Sequence, residues 1–129
     1  MDRTISYLKK LFHIFALLLI ILSLYPGNII GFLIYGNIRY EPQLTKDFLY
    51  ISSNHLYVYF LISTLGFFSY LRDRKFKLVV IYLFFLSIIL EVAHLVIPER
   101  SFQIDDLTGN ILGVLIAYII VLIYKFWRR

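Results

Sequence analysis

The chain has 129 residues, 60% of them apolar, 19% aromatic and 16% charged, with no cysteine and a formal net charge of +5. Soluble domains are about 45–50% apolar and about 25% charged, so this composition excludes a water-soluble globule and a disordered tail. The missing cysteine excludes a disulfide scaffold, a thiol enzyme and a cysteine-based zinc finger, which leaves a single small membrane domain covering residues 1–129.

A helix that crosses a bilayer needs about 20 apolar residues, because ~30 Å of hydrocarbon is covered at ~1.5 Å per residue. The first apolar run predicts a span over residues 11–25, lengthened inward by snorkelling Lys9 and Lys10. It ends on Leu24-Tyr25-Pro26, which is too bulky for a small-x-small cleavage site, so the run is expected to stay in place as a span. Pro26 and Gly27 follow, and residues 29–35 are expected to dip into the interface rather than continue the helix. Residues 36–54 form the one long polar stretch, taken as an outer loop. Further spans are predicted over residues 55–71, 78–97 and 107–124. The last closes with Lys125-Phe126-Trp127-Arg128-Arg129, an aromatic and basic anchor. In lipid each segment must satisfy its own backbone hydrogen bonds, so the expected fold is an all-α, four-transmembrane-helix bundle.

The basic residues argue for orientation rather than for nucleic acid. Ten of the thirteen fall in three clusters: Arg3, Lys9 and Lys10; Arg72, Arg74, Lys75 and Lys77; and Lys125, Arg128 and Arg129, accompanied by Asp2 and Asp73 only. The other inter-span segments carry Arg39, Lys46 and Arg100 against Glu41, Asp47, Glu91, Glu99, Asp105 and Asp106. Loops rich in Lys and Arg stay cytoplasmic, so both termini are expected in the cytoplasm with two acidic loops outside. Membrane lipids are the expected partners, and no nucleic acid is.

Polar residues inside the spans are the candidate site. A central charge costs about 2.5–3.5 kcal/mol on insertion scales, so it marks function or a latch. Glu91 and His94 share one helix face, with Ser87 on the same face. If the third span ends at Ile97, Glu91 lies about 9 Å below its outer end. The fourth span opens with Asp105 and Asp106, types favoured in a first helical turn. Asp106, Asn110, Gly113 and Ala117 then form one stripe. His55, with Tyr59 one turn on, opens the second span at similar depth. The expectation is a single cluster of His55, Tyr59, Glu91, His94, Arg100, Asp106 and Asn110 near the outer surface. Glu91–Arg100 or Asp106–Arg100 ion pairs are its structural alternative. Gly109, Gly113 and Ala117 give a small-xxx-small face for close helix packing, within the chain or in a homodimer.

The spacing Glu91-x-x-His94, Pro98-x-Arg100, Asp106-x-x-x-Asn110-x-x-Gly113-x-x-x-Ala117, preceded by His55-x-x-x-Tyr59, resembles the VanZ-like family of small membrane proteins. His94 stands where that family usually has Gln, Ala117 replaces a Gly, and Ile51 and Ser52 occupy the place of an acidic-lysine pair. The resemblance implies a bacterial cytoplasmic-membrane protein, of a kind associated with glycopeptide and teicoplanin resistance.

Three functions are open. The first is binding of an envelope lipid or lipid-linked precursor head group at the outer leaflet, with Arg100 on an anionic group and an effect on glycopeptide susceptibility. The second is an accessory subunit of a larger membrane complex. The third is an intramembrane enzyme with Glu91 or Asp106 as base and His94 or His55 as acid. No hydrolase motif and no phosphate-binding loop is present, so an enzyme would rest on the cluster alone and catalytic residues are unassigned. No cofactor is expected. A metal held by His55, His94, Glu91 and Asp106 is open by ligand type only, since no local ligand motif supports it, and none is expected.

Overall fold

The structure is a computed structural model that describes residues 2–128. Arg129 of the third basic cluster and the side chain of Asp2, which accompanies the first, lie outside the described residues. Five α-helices follow in order: α1 (Asp2–Leu24), α2 (Ile29–Tyr35), α3 (Ser53–Ser69), α4 (Phe76–Ala93) and α5 (Ile104–Trp127), with no strand among the described residues.

Three of the helices, over Arg3–Leu24, Phe76–Ala93 and Ile104–Trp127, are long and apolar enough to cross a membrane. α3 has 17 residues, at the lower end of the spanning range of about 17–25. Large apolar side chains such as Leu17, Leu61, Ile81 and Phe85 point outward all around the bundle, a surface that water would not tolerate.

Helix limits differ from the sequence expectation in physically readable ways. α1 starts at Asp2 rather than near residue 11, because Arg3 to Lys10 contain no helix breaker and continue the helix in polar surroundings. α3 runs over Ser53–Ser69 instead of 55–71, and α5 over Ile104–Trp127 instead of 107–124. α4 ends at Ala93, not Ile97, so Glu91 sits in its last turn rather than six residues deep. Residues 29–35 form their own short helix. Asn28 caps it by accepting from the Gly31 N–H at 2.8 Å, and Gly36 closes it in the left-handed conformation.

α1 and α4 run one way and α3 and α5 the other, so one end of the bundle gathers Leu24, Ser53, Ala93 and Ile104. The opposite end gathers the basic residues, where Lys9 pairs with Asp73. That pair holds the Asp73 carboxyl below the usual carboxylate range, helped by the Lys75 N–H.

The closest seam is between α3 and α5, not between the sequence neighbours α4 and α5. The small-residue stripe explains it. A Cβ on Gly113 would lie 2.5 Å from the Leu56 carbonyl oxygen, and one on Gly109 2.5 Å from that of Ser52. Only glycine lets the two backbones come this near. Below the seam the core is Phe12, Tyr59, Ile62, Phe67, Leu83, Val114, Ala117 and Val121.

Candidate functional site

The site lies at the end of the bundle where α1 and α4 finish and α3 and α5 begin. His55 stands in the first turn of α3, and its Nδ1 lies 2.9 Å from Asn110 Oδ1. Asn110, 1% exposed, donates its own amide N–H to the Ser87 carbonyl at 3.2 Å. That second bond sets the amide orientation, so Asn110 presents an acceptor to His55 and the Nδ1 carries the proton. One polar residue of α5 thereby ties α3 to α4.

The other ring nitrogen, Nε2, faces two carboxylates: Asp106 Oδ2 at 3.6 Å and Glu41 Oε1 at 3.8 Å. Glu41 comes from the polar loop, and its proximity to His55 holds its carboxyl below the usual range against a smaller opposing effect of burial. Tyr59, one turn along α3, is buried and donates to the Leu86 carbonyl at 3.4 Å.

On the α4 side, Glu91 is 1% exposed. Its Oε1 accepts the Gln103 N–H at 2.9 Å, which holds the α4–α5 connection down. Its Oε2 has no hydrogen-bond partner and lies 3.3 Å from His94 Nδ1. The His94 Nε2 donates to the Ser23 carbonyl at 3.1 Å. A carbonyl only accepts, so the Nε2 carries a proton and the Nδ1 is the nitrogen turned to Glu91.

Arg100 pairs with neither Glu91 nor Asp106 among the described residues. Its Nη2 donates to the Leu22 carbonyl at 2.7 Å and its Nε to that of Tyr25 at 3.4 Å. These are carbonyls that the end of α1 leaves without intrahelical partners, at the negative end of the helix dipole. The ion pairs that stood as the structural alternative are thus not formed among the described residues, and Arg100 instead caps α1 from another loop. At the rim, exposed Arg39 and Glu99 form an ion pair with Nε to Oε2 at 2.8 Å.

These side chains enclose a cavity of about 190 Å³. Its polar wall includes His55, Tyr59, Glu91, His94, Arg100 and Asn110, with Asn28 and Glu41; its apolar wall includes Leu19, Leu22, Val58 and Leu90. A second cavity of about 190 Å³ shares Glu41, His94 and Arg100 and adds Gln103 and Asp106. A groove of about 470 Å³ between α1 and α3, lined only by apolar side chains, shares Leu19, Leu22 and Val58 with the polar chamber. The polar chamber and the apolar groove thus have these three side chains as a common wall.

All seven residues expected to cluster line one or other chamber. They divide into two subsites, His55–Asn110–Asp106 and Glu91–His94, with Arg100 beside the second. The four residues considered for a metal do not converge; the ligand-type group among the described residues is Glu41, His55 and Asp106. Glu41, Asn28 and Gln103 were not singled out in the sequence. Only Glu41 carried a signal, as an acidic residue of the long polar segment.

Comparison with curated proteins and with solved structures returns no match. The VanZ/LLP1 family model matches residues 7–126. With nearly the whole chain covered, and with the family-like residues gathered at one end of an apolar helical bundle, this is a membrane protein of the VanZ/LLP1 family.

Proposed function

We propose that the chain binds the head group of an envelope lipid or lipid-linked precursor at the outer face of the bacterial cytoplasmic membrane. The reading takes α1, α3, α4 and α5 as four spans with both termini in the cytoplasm, which puts the basic end inside and the chamber at head-group depth. α2, with Leu33 75% exposed, lies along the interface as a short apolar flap.

The observation that carries the proposal is that the polar chamber adjoins the apolar α1–α3 groove, with Leu19, Leu22 and Val58 lining both. A lipid has that same division, a polar head joined to an apolar chain. Arg100 spends two donors on α1 and keeps others for an anionic group, as guanidinium fork geometry allows. Sequestering such a lipid would alter what glycopeptides meet at the cell surface.

Native mass spectrometry of gently solubilised protein tests this. A retained lipid is expected, with lower occupancy in Arg100→Ala and in Val58→Trp, which fills the groove where it adjoins the chamber. Val58 faces outward on α3, so the second variant leaves the core intact. The same lipid complement in both variants and the wild type would rule the proposal out. Glycopeptide susceptibility of cells expressing each variant gives the physiological readout.

A further inference from the structure

We infer that Glu41, His55 and Asp106 form a binding site for a divalent transition-metal ion of the zinc type. One ligand atom from each residue lies within 4.8 Å of the other two. The three come from separate parts of the chain: the polar loop, the first turn of α3 and the first turn of α5. Ligands gathered at ~2.0–2.2 Å about one ion stand about 3.4 Å apart in a tetrahedral arrangement, close to the 3.6 and 3.8 Å found from His55 Nε2 to the two carboxylates.

The orientation of His55 is what a metal ligand requires. Asn110 Oδ1 accepts a hydrogen bond from the Nδ1–H at 2.9 Å, and the amide is itself held by the Ser87 carbonyl. The Nε2 is therefore the coordinating atom, its direction set by a hydrogen bond on the far nitrogen, as in most metal-bound histidines. Without a cation, a lone pair and two carboxylates would face one another. A proton on Nε2 reaches neither oxygen within the ~2.7–3.2 Å of a hydrogen bond. A metal ion satisfies all three.

The residues lining the two chambers include four carboxylates, Glu41, Glu91, Glu99 and Asp106, against two guanidinium groups, Arg39 and Arg100. The single imidazole with two carboxylates suits zinc or manganese better than calcium or magnesium. Three protein ligands leave a fourth position for water or an anionic oxygen. Half-exposed Glu41 gives the ion a route from the surrounding water. The site does not depend on the lipid proposal and is measured on lipid-stripped protein.

Cobalt titration of the purified protein in detergent provides the test, with zinc as competitor. The expected result is a visible absorption band that saturates at one Co²⁺ per chain and is displaced by Zn²⁺. His55→Gln is expected to abolish it, and Asn110→Ala to weaken binding about 10-fold or more through loss of the orienting bond. Glu41→Gln tests a ligand in an exposed loop, where folding is not at risk, and is expected to weaken binding by a similar factor. Glu99→Gln, at the same end but outside the trio, leaves the titration unchanged. Absence of a stoichiometric band, or a band unaffected by both His55→Gln and Glu41→Gln, would overturn the site and leave a protonated His55 between two carboxylates.

Discussion

His55 and Asn110 are joined at 2.9 Å across the α3–α5 seam that Gly109 and Gly113 bring close, and this bond sets the direction of the imidazole. Asn110 also holds α4 through Ser87. Its replacement by Leu, similar in size and apolar, removes both bonds. In lipid, interhelical bonds of this kind contribute about 1–2 kcal/mol. The expected outcome is a lower thermal midpoint in detergent, by an amount matching a loss of about 1–2 kcal/mol, read by tryptophan fluorescence or circular dichroism.

Gly113 should be the least replaceable position of the small-residue stripe. A methyl group there meets the Leu56 carbonyl at 2.5 Å and the Phe60 nitrogen at 2.8 Å, backbone atoms that cannot swing aside. Gly113→Ala must push α3 from α5, at a cost of about 1–3 kcal/mol for overpacking. Gly36→Ala meets no neighbouring atom within 4 Å, so it tests only the left-handed cap of α2 and leaves the seam intact. Chemical denaturation of the two variants separates the effects.

Arg100 caps the end of α1 through Leu22 and Tyr25. Arg100→Gln removes the charge that complements the helix dipole, a loss of about 1–2 kcal/mol confined to the last turn. Hydrogen exchange should rise over Ser23 to Gly27 and stay constant in the middle of α1. Arg100→Lys should restore part of the protection, since an ammonium keeps the charge but not the fork. Uniform protection in all three proteins would show that the cap is dispensable.

The basic end should be acid-sensitive through Asp73. Its folded-state carboxyl is held low, chiefly by Lys9, so the pair contributes stability in full above the unfolded Asp value of ~3.9. The contribution is lost as pH falls through the lower folded value. The exposed setting makes the effect small. A thermal midpoint that drops between about pH 4 and pH 3, with a shallower drop in Asp73→Asn, is the expected result.

Because the chain has no cysteine, single-cysteine labelling reports orientation directly. Gln43→Cys and Ser101→Cys should react with a membrane-impermeant maleimide in intact cells. Arg74→Cys and Arg128→Cys should react only after permeabilisation. The reverse pattern would invert the orientation on which the head-group proposal rests.

The amino-acid sequence by itself determined the helical class, the positions of the long apolar segments and the likeness of Glu91 to Ala117 to one family. Those properties are local: lipid demands internally bonded backbone, and residues three or four apart share a helix face whatever lies beside it. Even locally, helix ends did not follow hydropathy: α4 stopped at Ala93 and α1 reached back to Asp2. Tertiary structure alone decided the partners. α4 and α5, joined by a short loop, do pack together, but the glycine stripe of α5 faces α3, since close backbone approach depends on which facing helix offers a fitting surface. Arg100, placed among acids along the chain, turned to the carbonyl end of α1, whose orphan acceptors no spacing rule displays. Glu41 reached His55 because a loop has no period to read, and only folding brings its carboxylate beside the ring.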